Sequence, residues 1–224
     1  MLTIYVAQTD ALKDGELFDS LYHDVPQCRQ QKIDRMRFDK DKRLSLGAGL
    51  LLKQALNEAN IDDNCIHIDY SSNKKPYIKE YPEFHFNLSH SEECVICAVS
   101  AFETGCDVEK VVDIDLDIAK KYFSPQEYEF IVRQNNINNR IDIFFRLWTL
   151  KESYMKARGC ILTMDAFCIQ IKNNIITVEC DDMDNDYSFY EFDLFPGYKF
   201  AACVKSASMD VTVKRCWFGS GRSL

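Results

Sequence analysis

Two stretches of this chain repeat one another. F-H-F-N-L at Phe84–Leu88 returns as Y-E-F-D-L at Tyr190–Leu194, and V-I-C-A-V-S at Val95–Ser100 returns as F-A-A-C-V-K-S at Phe200–Ser206, with Cys97 and Cys203 at the same offset. Both pairs alternate like β-hairpins with one face buried. Each follows a long helical pattern. Over 40–59 the stripe is Leu44, Leu51, Leu52, Ala55 and Leu56; over 140–158 it is Phe144, Leu147, Leu150, Tyr154 and Ala157. A helix-then-hairpin unit read twice predicts an α+β chain of two similar halves, residues 1–104 and 105–224, joined near 101–105. Chance similarity between two hairpins is the alternative. A ligand site would lie in the cleft between the halves.

Bulk properties narrow the function classes. The chain has 224 residues, 46% apolar and 28% charged, with a net charge of −8. Such a surface does not attract nucleic acid or an anionic membrane, so any phosphate site must be a local basic pocket. No apolar run is long enough to span a bilayer, and M-L-T-I-Y-V-A reads as a first strand rather than a signal peptide. The ten cysteines lie mostly inside apolar runs. They read as reduced core thiols, and the expected location is the cytoplasm. Cys94 and Cys97 have C-x-x-C spacing, but a strand puts them on opposite faces, which argues against zinc.

Between these anchors the pattern predicts a strand at 2–8, a short helix at 11–22 and a basic helix after Pro26. Gly47 and Gly49 inside the 40–59 helix imply close packing or close ligand approach. Strands are expected at 65–70, 84–88 and 94–100. Ser124-Pro125-Gln126-Glu127 is a helix start with Ser as N-cap and Glu at the third position. The piece 134–139 reads as a loop, and Gly159 ends the second long helix. Strands at 166–171, 174–179, 187–194, 198–204 and 210–216 follow, then a frayed tail.

The chemistry-bearing stretch is G-C-D-V-E-K at Gly105–Lys110. As a strand it presents Asp107 and Glu109 on one face and Cys106 and Val108 on the other. Two carboxylates side by side repel unless a cation lies between them, and a hard ion such as Mg²⁺ answers that. An isolated D-x-E is more often a solvated strand end. On the second long helix Trp148, Glu152 and Lys156 follow at i, i+4 and i+8, so Glu152 and Lys156 are neighbours. His90 sits in a cluster of small polar residues, F-N-L-S-H-S, that reads as a turn after a strand. Arg43 comes just before Gly47 and Gly49 on the 40–59 helix, and Lys74-Lys75-Pro76 fixes two cations beside a rigid proline.

Taken together, F-N-L-S-H-S, G-C-D-V-E-K and L-W-T-L-K-E-S-Y-M-K-A-R-G resemble the 4′-phosphopantetheinyl transferases. The match is to their two-domain group, typified by the surfactin synthetase-activating enzyme, and it covers nearly the whole chain. P-G-Y-K-F-A-A-C resembles a strand near the C-terminus of that group. The resemblance implies two halves related by a pseudo-two-fold axis, with coenzyme A bound between them. It implies transfer of the phosphopantetheine arm to a serine hydroxyl of an apo acyl, peptidyl or aryl carrier protein, with release of 3′,5′-ADP. It also implies Mg²⁺, with Mn²⁺ as the alternative, held by Asp107, Glu109 and Glu152. Glu152 becomes the candidate base, and Lys151 and Lys156 the stabilisers of phosphoryl oxygens and leaving ADP. Arg43, Ser89 and His90 would contact the nucleotide end, Lys75 and Pro76 would flank adenine, and Lys32 comes from the basic segment. The two fused halves suggest a monomer.

This chain departs from the family at Lys74, where a glycine is usual. Two other readings of the same acids are a metal-dependent phosphodiesterase, which would cleave coenzyme A without a carrier, and a non-catalytic coenzyme A or carrier-binding module.

Overall fold

One order of elements occurs twice along the chain. In this computed structural model, which describes residues 1–63, 66–159, 163–173, 175–180 and 186–219, the first pass runs through nine elements. They are β1 (Leu2–Gln8), α1 (Gly15–Tyr22), α2 (Gln27–Asp34), α3 (Asp39–Glu58), β2 (Ile68–Tyr70), β3 (Pro76–Ile78), β4 (His85–Ser91) and β5 (Cys94–Ser100), with a 3₁₀ turn at Asp10–Lys13. The second pass has β6 (Thr104–Lys110), α4 (Ala119–Tyr122), α5 (Pro125–Val132), α6 (Ile137–Arg158), β7 (Cys168–Lys172), β8 (Ile175–Glu179), β9 (Tyr187–Phe192) and β10 (Tyr198–Lys205). In each pass the last strand lies in the middle of its sheet: β5 between β1 and β4, β10 between β6 and β9, all antiparallel. The pairs β2–β3 and β7–β8 form separate ribbons. β11 (Val211–Arg215) then adds parallel to β1.

The repeat lies in the topology rather than the register. Phe86 pairs with Val99, whereas its echo Phe192 pairs with Phe200. Cys97 and Cys203 still face equivalent cores, each under its own long helix.

Strand alternation builds the layers. Leu2, Ile4 and Val6 of β1, Cys94, Ile96 and Ala98 of β5, Cys106 and Val108 of β6, and Phe200, Ala202 and Val204 of β10 form one buried cluster between the two sheets. The intervening residues face outward to the helices. Tyr5, Ala7, Val95 and Cys97 pack with the α3 leucines, and Ala201 and Cys203 pack with Phe144, Leu147, Leu150 and Tyr154 of α6. Cys94 and Cys97 therefore lie in different cores.

Gly105 sets how closely α6 lies on β6. A Cβ there would stand 2.1 Å from the Ser153 carbonyl oxygen and 2.3 Å from the Ala157 nitrogen. Backbone meets backbone, so no side chain fits. Gly47 and Gly49 serve packing too, against Thr9 and against Val25 and Arg29.

Several boundaries differ from the sequence expectation. Residues 134–139 are not all loop: α6 starts at Ile137 because the Asn136 side chain accepts from the Asn139 amide at 2.9 Å and caps it. β3 and α4 are additional short elements. His90 is not in a turn. It lies within β4, paired with Val95, because the serines on either side bond sideways to the next sheet. The first residues of the expected strands at 65–70 and 174–179, and the tail beyond Gly219, lie outside the described residues. Gly159 ends α6 with φ +57°, as the glycine there predicts.

Candidate active site

β4 has two working faces. On one, Asn87, Ser89 and Ser91 reach across to β6, which does not join its ladder. The Cys106 amide donates to Asn87 Oδ1 at 2.9 Å, Ser89 Oγ donates to Asp107 Oδ1 at 2.8 Å and Ser91 Oγ donates to Glu109 Oε2 at 2.8 Å. The Lys110 amide closes the seam on Ser91 Oγ at 3.1 Å. Side chains thus stitch the two sheets together along the acids. The alternation of small polar residues in N-L-S-H-S fits this seam.

The other face of β4 lines a cleft of about 720 Å³ with Phe86, Leu88 and His90. α2 supplies the opposite wall with Arg29 and Lys32, followed by Arg35 at its C-cap, and the β2–β3 turn adds Lys74, with Pro76 at the start of β3. The wall is basic because α2 carries cations at helical spacing on one side. Lys32 is lowered below the usual lysine range by desolvation and then by Arg29, and Arg29 is itself lowered by burial. Crowding of like charge makes this cleft receptive to an anion. Ser45 of α3 also lines it, with a buried Oγ that has no hydrogen-bond partner among the described residues.

Beyond the seam, α6 brings Glu152 and Lys156 over β6. Lys156 Nζ donates to Asp107 Oδ1 at 2.6 Å and Ser89 Oγ at 3.0 Å, and stands 4.0 Å from Glu152 Oε2. Asp107 is only 2% exposed, and among the described residues its Oδ2 has no hydrogen-bond partner. Burial pushes the Glu109 carboxyl up to about 7, helped by the charge on Asp107. Glu152 is also raised, by burial first, with Lys156 opposing and Asp107 adding. Burial alone would lower Lys156, but Asp107 more than offsets it and the ammonium is held above its ordinary range. His90 is lowered by desolvation, then by Lys156 and Lys32, which ties cleft and acids into one electrostatic neighbourhood.

The donor set fits a hard cation: three carboxylates, one with an orphaned buried oxygen, two held toward neutrality. Among the described residues no three potential ligands are gathered tightly enough to hold an ion as they stand. Lys156 fills the space between Asp107 and Glu152. Asp107, Glu109 and Glu152 are the residues that would hold such a cation, and it would supply positive charge among them.

Other expected site residues separate from this group. Lys151 is fully buried; its ammonium donates to both oxygens of Glu127 at 2.8 Å and to the Phe167 carbonyl at 2.5 Å. All three protons are used inside the second core, so the expected role on phosphoryl oxygens is corrected to a structural one. Arg43 is half-buried on α3 and is not among the residues lining the cleft; its Nε has no hydrogen-bond partner among the described residues. Lys75 donates to the Ala157 carbonyl at the end of α6 instead of opening into the cleft. Arg29 and Arg35 were not expected, although their spacing from Lys32 on one helix face was the available signal.

A basic cleft whose His90 wall feels the Lys156 charge over β6 has the chemistry to receive a phosphate-rich ligand. Comparison with known proteins names the group. Residues 103–203 match the 4′-phosphopantetheinyl transferase superfamily, and residues 14–102 match the 4′-phosphopantetheinyl transferase N-terminal family. The chain is 33% identical to the 4′-phosphopantetheinyl transferase gsp of Aneurinibacillus migulanus over 88% of its own length and 83% of that protein. It is 29% identical to the 4′-phosphopantetheinyl transferase Sfp of Bacillus subtilis, over 90% of each. Among solved structures, the holo-[acyl-carrier-protein] synthase of Thermotoga maritima gives a TM-score of 0.41 at 15% identity, over 47% of this chain and 63% of that one, too slight a likeness to build on. The chain belongs to the 4′-phosphopantetheinyl transferase superfamily. It is an enzyme of that class.

Proposed function

We propose that this enzyme moves the 4′-phosphopantetheine arm of coenzyme A to a serine hydroxyl of an apo acyl, peptidyl or aryl carrier protein, releasing 3′,5′-ADP in a Mg²⁺-dependent reaction. One observation carries the metal assignment: Asp107 Oδ2 is buried without a partner while Glu109 and Glu152 are both pushed toward their neutral forms. The site is short of positive charge where a pyrophosphate would arrive. Mg²⁺ held by Asp107, Glu109 and Glu152 would supply it, neutralising charge on the phosphate oxygens.

The chain's own residues divide the remaining work. Arg29, Lys32, Arg35 and Lys74 attract the nucleotide phosphates into the cleft, with Pro76 and His90 on its walls. Ser89 holds Asp107 and Lys156 in register. Lys156 stabilises negative charge on the transferred phosphoryl group and on the departing ADP. Glu152, made more basic by burial, accepts the proton of the carrier serine as it attacks. Each half, 1–104 and 105–224, contributes one side: the first binds the nucleotide and the second carries the acids. The enzyme works as a monomer in the cytoplasm; the buried free thiols Cys94, Cys97, Cys106 and Cys203 suit a reducing compartment.

Incubation with coenzyme A, Mg²⁺ and a panel of apo carrier proteins should add one phosphopantetheine to carrier mass. A chelator should stop the reaction. No mass gain on any carrier would overturn the reading, and ADP release without a carrier would favour a phosphodiesterase instead.

A further inference from the structure

The β2–β3 turn, Ser71 to Lys75, touches two things at once. Asn73 Nδ2 donates to the Gly159 carbonyl at 2.8 Å, and Lys75 Nζ donates to the Ala157 carbonyl. Both acceptors are end carbonyls of α6, which the helix itself leaves without partners. A cation at a helix C-terminus is also favoured by the dipole. Gly159 makes room for this grip: a Cβ there would meet Lys75 Cδ at 2.7 Å, besides the strain of φ +57°. Between Asn73 and Lys75, Lys74 holds φ +62°, a left-handed conformation unusual for a lysine. The turn is closed by the Lys74 amide on the Ser71 carbonyl and the Lys75 amide on Ser71 Oγ. Residues 73 and 75 thus reach α6, while Lys74 and Pro76 line the cleft.

We infer that this turn is a positioning device that couples the filled cleft to the catalytic helix. Asn73 and Lys75 cap α6 from the other half of the molecule and fix its last turns, which carry Lys156 against Asp107. Lys74, strained so that its neighbours can reach α6, presents its ammonium to the phosphates in the cleft. Nucleotide drawn onto Lys74 tightens the turn, and the turn holds Lys156 and Glu152 in line over β6. Neither Asn73 nor Lys74 touches the reacting atoms. This inference rests on the reading that the cleft takes the nucleotide end of coenzyme A.

Kinetics and hydrogen exchange test it together. Asn73→Ala is expected to lower kcat about five- to tenfold while KM for coenzyme A stays within twofold. Lys74→Gly is expected to raise KM several-fold and, because nucleotide no longer tightens the turn, to lower kcat by a smaller factor than Asn73→Ala does, while the melting temperature rises, since glycine accepts φ +62° without strain. In the wild type, coenzyme A alone should slow amide exchange over 155–159, and Asn73→Ala should lose that protection while still binding coenzyme A. Asn73→Asp removes the donor and should behave like Asn73→Ala. Unchanged kcat in Asn73→Ala, or equal protection over 155–159 in both proteins, overturns the inference. An inactive wild type across the carrier panel would overturn the functional reading instead, and the exchange experiment would still report on the turn.

Discussion

Helix α6 carries two lysine–carboxylate pairs five residues apart, and they are opposites. Lys151 and Glu127 are saturated. The Lys151 protons go to both Glu127 oxygens and to the Phe167 carbonyl, while Glu127 also accepts the Ser124 amide at 2.8 Å and the Ile169 amide at 2.7 Å. Lys156 and Asp107 are unsaturated. Among the described residues Asp107 keeps one buried oxygen bare, Glu152 and Glu109 crowd the pair, and the ammonium acts electrostatically on His90 in the cleft wall. A finished network locks structure, whereas an unfinished one has capacity for a ligand. The sequence motif W-T-L-K-E-S-Y-M-K does not tell the two lysines apart. Helical phase does: Lys151 falls on the stripe of Leu147, Leu150 and Tyr154 that enters the core.

The largest expected effect is at the unfinished pair. Asp107→Asn should lower kcat/KM for carrier modification by about 10³ or more, equivalent to roughly 4 kcal/mol. Its melting temperature should hold or rise, because a charged group without a full set of partners has been removed. Intact-mass kinetics and a thermal melt decide the matter; an active Asp107→Asn would make this pair as structural as the other. Lys151→Met should do the converse. Leaving Glu127 buried and uncompensated costs about 3–5 kcal/mol in urea unfolding, with turnover per folded molecule nearly unchanged. Adding Glu127→Leu to it should restore much of that stability. A Lys151→Met protein that is stable but inactive would return Lys151 to the catalytic group.

Much of the comparison was legible in the sequence. The D-x-E strand, the Ser124 capping box, the Gly159 helix end and the echo of two hairpins all follow from local rules of spacing and capping. What those rules miss depends on where elements dock. Glu127 reads as a capping residue, and its second partner on α6 is visible only in three dimensions. His90 reads as part of a turn because Ser-His-Ser looks like turn chemistry, but the serines are polar in order to bond β6. Arg29 and Arg35 were hidden in a helix whose basic face has meaning only once β4 stands opposite.

Gly105→Ala sharpens the comparison from a third side. The added methyl would press on the Ser153 carbonyl and the Ala157 nitrogen, so α6 must lift from β6. Overpacking of this kind costs about 1–3 kcal/mol, at times more. Lys151 lies on the side of α6 that enters the second core, so its pair should survive better than the one at Lys156. Activity should therefore fall further than stability. A variant that loses stability but keeps full turnover per folded molecule would show that the Lys156–Asp107 contact tolerates a displaced helix.

The smallest effect is on pH, and its sign is opposite to the usual one for an acidic residue. Burial pushes the Glu109 carboxyl in the folded state from its ordinary 4.5 up to about 7. Between those values the folded state binds more protons than the unfolded state, so stability falls as pH rises through that window. In the metal-free enzyme, melting temperature should decline from pH 5 to pH 8 in excess of the background trend. Glu109→Gln removes the titration and should flatten the curve, so that the variant gains on the wild type above pH 7 while losing turnover. Saturating Mg²⁺ should close the gap by stabilising the wild type alone, because a cation favours the charged carboxylate that burial disfavours. If the two proteins keep the same melting profile with and without Mg²⁺, the Glu109 carboxylate is neither strained in the apo enzyme nor a ligand in the loaded one, and the unfinished pair reduces to Asp107 and Lys156 alone.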